Sequence, residues 1–474
     1  MYKNYINGGL AEGLGGRQDI INPATEKTAG SLLKANAAQA EEALRAAENA
    51  FKSWSRLSLN QRGSWMLKLA DAAENEKEKV LDILMSETGK PLDNAAYDFN
   101  MLIDCLRYYI EEAKRLNGAI IPDYDDNFRN MVIRQPLGVV VGYLAWNFPL
   151  LNLGYKLGPV LASGCTCVLK PSSATPLATM YIGEIAQKIG FPAGVFNILA
   201  GPAAELSEAM NGSGIPRMIT LIGSTQTGKT IIKQSADTIK RYSLELGGNA
   251  PAIIMEDYDA ADAAKKLVDL KFGNCGQVCV SPNRVFVHEN IYDSFIESVL
   301  KYTSNITLGW GREKGAVMGP MISGEFRDRM TELVKDAERN GGKILCGGKI
   351  PGGKKEGFYF MPTVIGGVTE SMRVYKEEIF GPIMPCLTFS STEEVIARAN
   401  DTEYGLASYL FTNDINKAFT VAEGLEFGTV CVNEPFYAYN LPHGGIKESG
   451  VGKDCSSYSL EEYYYLKRIS IKKQ

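Results

Sequence analysis

The chain reads as an α/β protein built on doubly wound parallel sheets, and three observations carry that expectation. First, short apolar runs from residue 137 onward alternate with longer amphipathic stretches. This is the pattern of parallel strands joined by crossover helices. Second, a comparable alternating set begins near residue 250, which predicts another α/β unit. Third, 474 residues suffice for two or three domains with a sizeable core.

The elements follow in order. Residues 38–55, "AQAEEALRAAENAFKSWS", bring Leu44, Ala47, Phe51 and Trp54 to one face at helical spacing, and helical texture continues to about residue 116. Between 118 and 136 it gives way to "AIIPDYDDNFRNMVIRQP", which reads as short strands. "LGVVVGYLAW", "TCVLK", "GVFNILA" and "RMITLIG" are predicted buried strands, with helices such as "TPLATMYIGEIAQKIG" between them. The second set runs through "APAIIM", "RVFVHE", "KILCGG", "MPCLTF" and "SYLFT". The C-terminal "YYYLKRISIKK" reads as an edge strand, because Ile469 and Ile471 alternate with polar positions.

Composition excludes several classes. A net charge of −5 leaves no excess of Lys and Arg to neutralise nucleic-acid phosphates. The longest apolar run is about half a membrane span, and "MYKNYINGGL" carries no signal-peptide pattern. Nine irregularly spread cysteines suit free thiols in a reducing compartment, so a cytoplasmic location is expected. With only His288 and His443 in the chain, no metal site is expected.

The chemistry gathers at "FGNCGQVCVSPNRV". Cys275 and Cys279 lack the second ligand pair of a zinc site. Buried, inert thiols are expected at Cys165, Cys167, Cys346 and Cys431. Cys279 differs, because the small, turn-forming "GNCGQ" before it lets a carbonyl approach both the thiol and its N–H. The scarcity of histidine makes a carboxylate the better partner for such a nucleophile. Glu245 in "SLELGGNAP", at the end of an apolar strand, is the candidate; its bland alternative is a paired structural glutamate. "GSTQTGKT" (223–230), after the strand "RMITLI", fits G-x-x-x-x-G-K-[ST], so a nucleoside triphosphatase is the rival. Glu256 and Asp257 after "AIIM" would then hold Mg²⁺. The same turn at Gly223 also suits the pyrophosphate of a dinucleotide.

The motifs occur in the order "WNFP" (146–149), "LKPSSATP" (169–176), "IGSTQTG" (222–228), "LELGG" (244–248), "GQVC" (276–279), "EEIFGP" (377–382) and "PHGGIKESG" (442–450). In that order and spacing, the chain resembles the aldehyde dehydrogenase superfamily over essentially its whole length. Its motif texture is nearest to the non-acylating succinate-semialdehyde and lactaldehyde dehydrogenases. The resemblance implies a Rossmann-like dinucleotide-binding domain (1–117 and 137–247), an α/β catalytic domain (248–455) and a small β oligomerisation arm (118–136 and 456–474). It also implies a homodimer or homotetramer. Cys279 would be the nucleophile, forming a thiohemiacetal and then a thioester, and Cys275 a neighbour with no required role. The Asn147 amide and the Cys279 N–H would hold the oxyanion, each donor contributing roughly 3 kcal/mol. Glu245 would activate the hydrolytic water, and Lys156 matches a position on the family's proton path, with an ordinary surface lysine as its bland alternative. Glu378 and Phe380 match positions that hold the nicotinamide ribose and ring. Lys170 matches the adenosine-ribose contact, and Trp146 and Ser224 line the cofactor cleft. Ala145 stands where many members have proline, a departure expected to matter little.

Cofactor and substrate expectations follow from departures. Ser173 stands where NAD-preferring members often carry a glutamate. Nothing there would repel a 2′-phosphate, so NADP is expected to bind as well as NAD. Tyr155 and Gly273 stand where succinate-semialdehyde enzymes place carboxylate-gripping arginines. Asn152, Tyr155, Tyr437 and His443 are the expected substrate lining, rich in hydrogen-bond donors. They suit a small polar aldehyde: a hydroxyaldehyde such as lactaldehyde, or one bearing a carboxylate or sulfonate held by His443 and backbone N–H groups.

Overall fold

The computed structural model describes residues 1–354 and 356–474. Two large sheets dominate. The first has eight strands, in the order Gly450–Val451, Arg241–Glu245, Pro216–Ile222, Val139–Tyr143, Thr166–Lys170, Phe196–Ile198, Asn4–Ile6 and Gly9–Ala11. The five central strands are parallel, and antiparallel strands close both edges. From Val139–Tyr143 the chain winds outward one way through Thr166–Lys170 and Phe196–Ile198. It then returns to wind the other way through Pro216–Ile222 and Arg241–Glu245. The reversal lies between Val139–Tyr143 and Pro216–Ile222, where ligands of open α/β sheets bind beyond the carboxyl ends of the strands.

The central strands are buried on both faces and accordingly read as unbroken apolar runs rather than alternating ones: all five residues of Val139–Tyr143 and of Thr166–Lys170 are inaccessible. Helix Ala37–Trp54 is capped by Asn36, whose side chain accepts from the Gln39 N–H. Leu44, Ala47 and Trp54 are buried as the spacing predicted, and Phe51 is half-buried.

The second sheet has seven strands, in the order Lys343–Cys346, Thr363–Gly366, Ile383–Phe389, Arg284–His288, Pro251–Ile254, Ala407–Phe411 and Thr429–Val432. It too is parallel apart from one edge. Cys346 lies on that edge and is half-buried, unlike the core thiol expected there. The strand Gly450–Val451 belongs to the first sheet, so the chain leaves the second unit before residue 455.

Residues 118–136 and the C-terminus form one antiparallel sheet. Tyr464–Lys472 pairs along Phe128–Pro136, which pairs in turn with Ala119–Ile121. Ile120, Ile121, Leu466 and Ile471 stand exposed on it. Among the described residues, no helix is long and apolar enough to cross a membrane.

Two halves of a triphosphatase site would have to share one sheet. Here "GSTQTGKT" follows a strand of the first sheet, and "AIIMED" belongs to the second. Asp257 accepts hydrogen bonds from Thr412 and Asn413, while Glu256 faces His288 and Lys417. Lys229 pairs with Glu448 at 2.5 Å. The rival assignment does not assemble.

Candidate active site

Cys279 follows a strained turn. Asn274, Cys275 and Gly276 take successive left-handed conformations, with φ of 48°, 58° and 70°. Each non-glycine residue there costs on the order of 1–3 kcal/mol, so the surroundings must over-determine the turn. Gln277 supplies much of that constraint. Its amide donates to the carbonyls of Asn274 and Pro320, and its oxygen accepts from the Ile322 N–H. A Cβ on Gly276 would lie 2.2 Å from the Gly381 carbonyl oxygen, so glycine is required.

Cys275 is buried with its sulfur 3.6 Å from Met321 Sδ. Cys279 is partly open, at the junction of two cavities. One is a cleft of about 990 Å³ lined by Trp146, Lys170, Ser173, Gly223, Ser224, Glu378 and Phe380. The other is a tunnel of about 390 Å³ lined by Asn152, Tyr155, Tyr437 and His443. Asn147, Glu245 and Cys279 border both. The residues named from sequence for the cofactor line the first space and those named for the substrate line the second, and Asn147, Glu245 and Cys279 lie where these meet.

Glu245 ends its strand, in register with Ile222 on one side and Gly450 on the other. Its carbonyl accepts from the Gly223 N–H, tying this strand end to the turn at Gly223. The carboxyl is 4% exposed. Its oxygen, the Cys279 sulfur and a His443 nitrogen lie within 4.8 Å of one another. Burial, and then the neighbouring Glu245, push the Cys279 thiol well above its ordinary range.

Asn147 sits just ahead of helix Pro149–Ser163. One of its amide hydrogens goes to the Gln277 carbonyl at 3.1 Å, and its oxygen accepts from Asn152. Asn274 in turn donates to the Asn147 carbonyl. Among the described residues, the second amide hydrogen of Asn147 has no protein acceptor. Asp98, from helix Leu92–Ala113, accepts from the Leu150 and Leu151 N–H groups at 3.1 and 2.7 Å and is paired with buried Lys90. That carboxylate pins the helix start and, with it, Asn147. Neither residue was singled out from sequence, although a charged residue between Ala95 and Phe99, on an otherwise apolar face, was a usable signal.

Lys156 borders neither cavity, nor is it a surface lysine. It is fully buried and bonded to both carboxylate oxygens of Asp454, at 2.6 and 2.7 Å. Asp454, in "VGKDCSS", gave no sequence signal. Arg329, also missed, donates to the carbonyls of Glu378 and Ile379 and steadies the cleft wall.

The cleft suits a dinucleotide. Ser224 caps helix Thr225–Gln234, leaving its first N–H groups at the cleft floor. Lys170 lines the same cleft, and burial lowers its amine to about 8. Glu378 accepts from the Gly248 N–H at 2.9 Å, and burial raises its carboxyl to about 7. Trp146 and Phe380 pack edge to face, their ring centroids 5.3 Å apart.

Comparison with known proteins agrees with this geometry. The profile described as "Aldehyde dehydrogenase family" matches residues 11–469. Glutarate-semialdehyde dehydrogenase of Pseudomonas putida is 37% identical over 469 residues, covering 98% of this chain and 97% of that protein. The NADP-dependent succinate-semialdehyde dehydrogenase of Escherichia coli is 36% identical over 454 residues, covering 96% and 94%. Betaine aldehyde dehydrogenase of Staphylococcus aureus, solved with NAD⁺, superposes with a TM-score of 0.96 at 34% identity, covering 100% of this chain and 95% of that one.

Proposed function

Because the chain belongs to the aldehyde dehydrogenase family, we propose that it oxidises a small, uncharged, hydroxylated aldehyde to the carboxylic acid, with NAD or NADP as hydride acceptor. The observation that carries this is the meeting of a dinucleotide-sized cleft and a narrow tunnel at Cys279. An aldehyde entering by the tunnel meets the sulfur. The Cys279 proton leaves toward Glu245, and sulfur bonds to the carbonyl carbon. The free Asn147 amide hydrogen and the Cys279 N–H receive the developing oxyanion. The bound nicotinamide supplies the acceptor for the aldehyde hydrogen. Glu378, Phe380 and Trp146 would orient it, while Ser224 and the start of its helix would hold its phosphates. Glu245 passes the first proton to solvent and, ionised again, takes a proton from the water that cleaves the thioester and frees the thiol.

The charge of the tunnel supports the substrate class. Asp93, Asp269 and Glu245 line it, and no lysine or arginine does among the described residues. An anionic substrate would enter against those carboxylates with only His443 to meet it. The names of the relatives favour a second reading, an acid-bearing semialdehyde. Rates of cofactor reduction with lactaldehyde, glycolaldehyde, succinate semialdehyde and sulfolactaldehyde separate the two. We expect kcat/KM at least tenfold higher for the neutral pair, the worth of about 1.4 kcal/mol. A preference for the acids would overturn the uncharged reading.

Lys170 makes the cofactor choice depend on pH. Below about 8 its amine is charged and able to pair with a 2′-phosphate; above it the charge is lost. NADP affinity is therefore expected to fall between pH 7 and 9, approaching tenfold, while NAD affinity changes little. Titrating both cofactors by fluorescence at the two pH values checks this. Parallel curves for NAD and NADP would exclude the pairing.

The exposed apolar residues of the small sheet support a dimer or tetramer built on that sheet, and the nine free cysteines support a cytoplasmic setting. Sedimentation of Ile120→Asp with Leu466→Asp should show smaller species than the parent protein. A monomeric parent at micromolar concentration would rule out the assembly.

A further inference from the structure

We propose that Glu245, Cys279 and His443 form a site for a soft divalent cation, zinc being the fitting chemistry, whose occupation reversibly silences the enzyme. With only two histidines in the chain, no metal centre was expected from sequence. The fold nevertheless brings one of them to a thiol and a carboxylate, and the three ligand atoms lie within 4.8 Å of one another. Zinc binds sulfur at about 2.3 Å and nitrogen or oxygen at about 2.0–2.2 Å, so the edges of its tetrahedron measure about 3.3–3.6 Å. His443 Nε2 and Glu245 Oε1 are already 3.4 Å apart. That edge needs no adjustment, and the sulfur can close on the other two by side-chain rotation.

An independent observation points the same way. Glu245 Oε1 is buried and has no hydrogen-bond partner among the described residues, on a carboxyl that is 96% buried. Buried carboxylate oxygens are ordinarily satisfied, and one left open toward a thiol and an imidazole is an acceptor awaiting a ligand. The backbone around it is firm. Glu245 is in register with Gly450, and the His443 N–H and carbonyl both bond to Asp454. Tyr155 and Tyr437 flank the imidazole, with ring centroids 6.3 and 5.8 Å away. Three protein ligands leave a fourth position facing the tunnel, for water.

The balance is simple. The Cys279 S–H bond breaks, its proton passes to solvent, and a sulfur–metal bond forms. No electrons are exchanged, so a chelator restores the free thiol. While the metal is held, neither the nucleophile nor the base is available, and the sulfur is shielded from alkylation and oxidation. The loss of aldehyde oxidation rests on the function proposed above. The binding itself does not.

The test uses the full-length enzyme, stripped of metal and free of cofactor and aldehyde. Zinc is titrated calorimetrically, and cobalt(II) is titrated in absorbance as its spectroscopic substitute. We expect one equivalent of either metal, a near-ultraviolet thiolate-to-cobalt band and visible bands of tetrahedral intensity. Cys279→Ser should lose the thiolate band, and His443→Ala and Glu245→Gln should each bind about tenfold more weakly or worse. Cys275→Ala and Cys346→Ser should bind as the parent does. In the parent, zinc should block labelling of Cys279 by iodoacetamide, and chelation should restore it. The proposal fails if micromolar zinc neither binds nor protects Cys279. It fails equally if the cobalt spectrum survives in Cys279→Ser or is unchanged in His443→Ala. Because these readouts need no turnover, a failed aldehyde assignment would leave them standing.

Discussion

Cys279→Ala is expected to abolish both the first turnover and the steady rate of cofactor reduction, a loss on the order of 10⁶ where a covalent nucleophile is removed. Among the described residues, no other sulfur stands at the junction of cleft and tunnel. Cys275 is only four residues away, but it is buried, its sulfur rests on Met321, and burial holds its thiol well above the ordinary range. Cys275→Ala should therefore keep both phases within a few-fold and cost about 1 kcal/mol of stability for the lost packing. The alanine inherits a left-handed backbone no better than cysteine does, so the turn itself is not relieved. Stopped-flow absorbance of the two variants at saturating aldehyde decides the matter. Equal losses in both would mean that the strained turn, and not the identity of the thiol, carries the activity.

Glu245→Gln is expected to split the reaction in two. The thioester should still form and release about one equivalent of reduced cofactor in a burst. Steady turnover should then fall by roughly 10²–10⁴, the usual worth of a general base. Glutamine preserves the shape of a residue packed between Ile222 and Gly450, so the readout is chemical and not a folding defect. If the Cys279 proton has to pass to Glu245 before attack, the burst will also slow. Its amplitude should stay near one while its rate constant drops, because the thiol would lose the group that takes its proton. A burst of unchanged rate would assign Glu245 to deacylation alone. Loss of the burst amplitude would contradict the two-step assignment.

Much of the fold was legible because its strands are local and apolar. "TCVLK" is the buried strand Thr166–Lys170 to the residue, and the helix at 37–54 needed only its apolar spacing and an asparagine cap. The candidate site residues were named for a different reason: they sit in motifs whose order along the chain matched a family. What stayed hidden depends on distance along the chain. Nothing in "KNYING" says that Asn4–Ile6 will pair with Phe196–Ile198, nor does "GKDCSS" announce a partner for Lys156. Asp98 was overlooked because its donors, two backbone N–H groups of another helix, have no identity in sequence. The metal-like cluster eluded spacing arguments because its members come from three separate segments, at 245, 279 and 443.

The Lys156–Asp454 pair has a consequence for the order in which the protein matures on the ribosome. Its two members are 298 positions apart. At about 5–20 residues per second, Lys156 waits roughly 15–60 s for its counterion to be synthesised. During that time the helix Pro149–Ser163 cannot bury it against the first sheet without several kcal/mol of uncompensated charge. The same sheet also lacks its edge strand Gly450–Val451 until the tail is made. Nascent chains stalled near residue 440 should accordingly be cut by protease between 149 and 163, and chains released at full length should resist. Resistance in the stalled chains would mean that another group neutralises the lysine meanwhile. Asp454, made long after the helix that carries Lys156, thus decides when the earlier sheet becomes native.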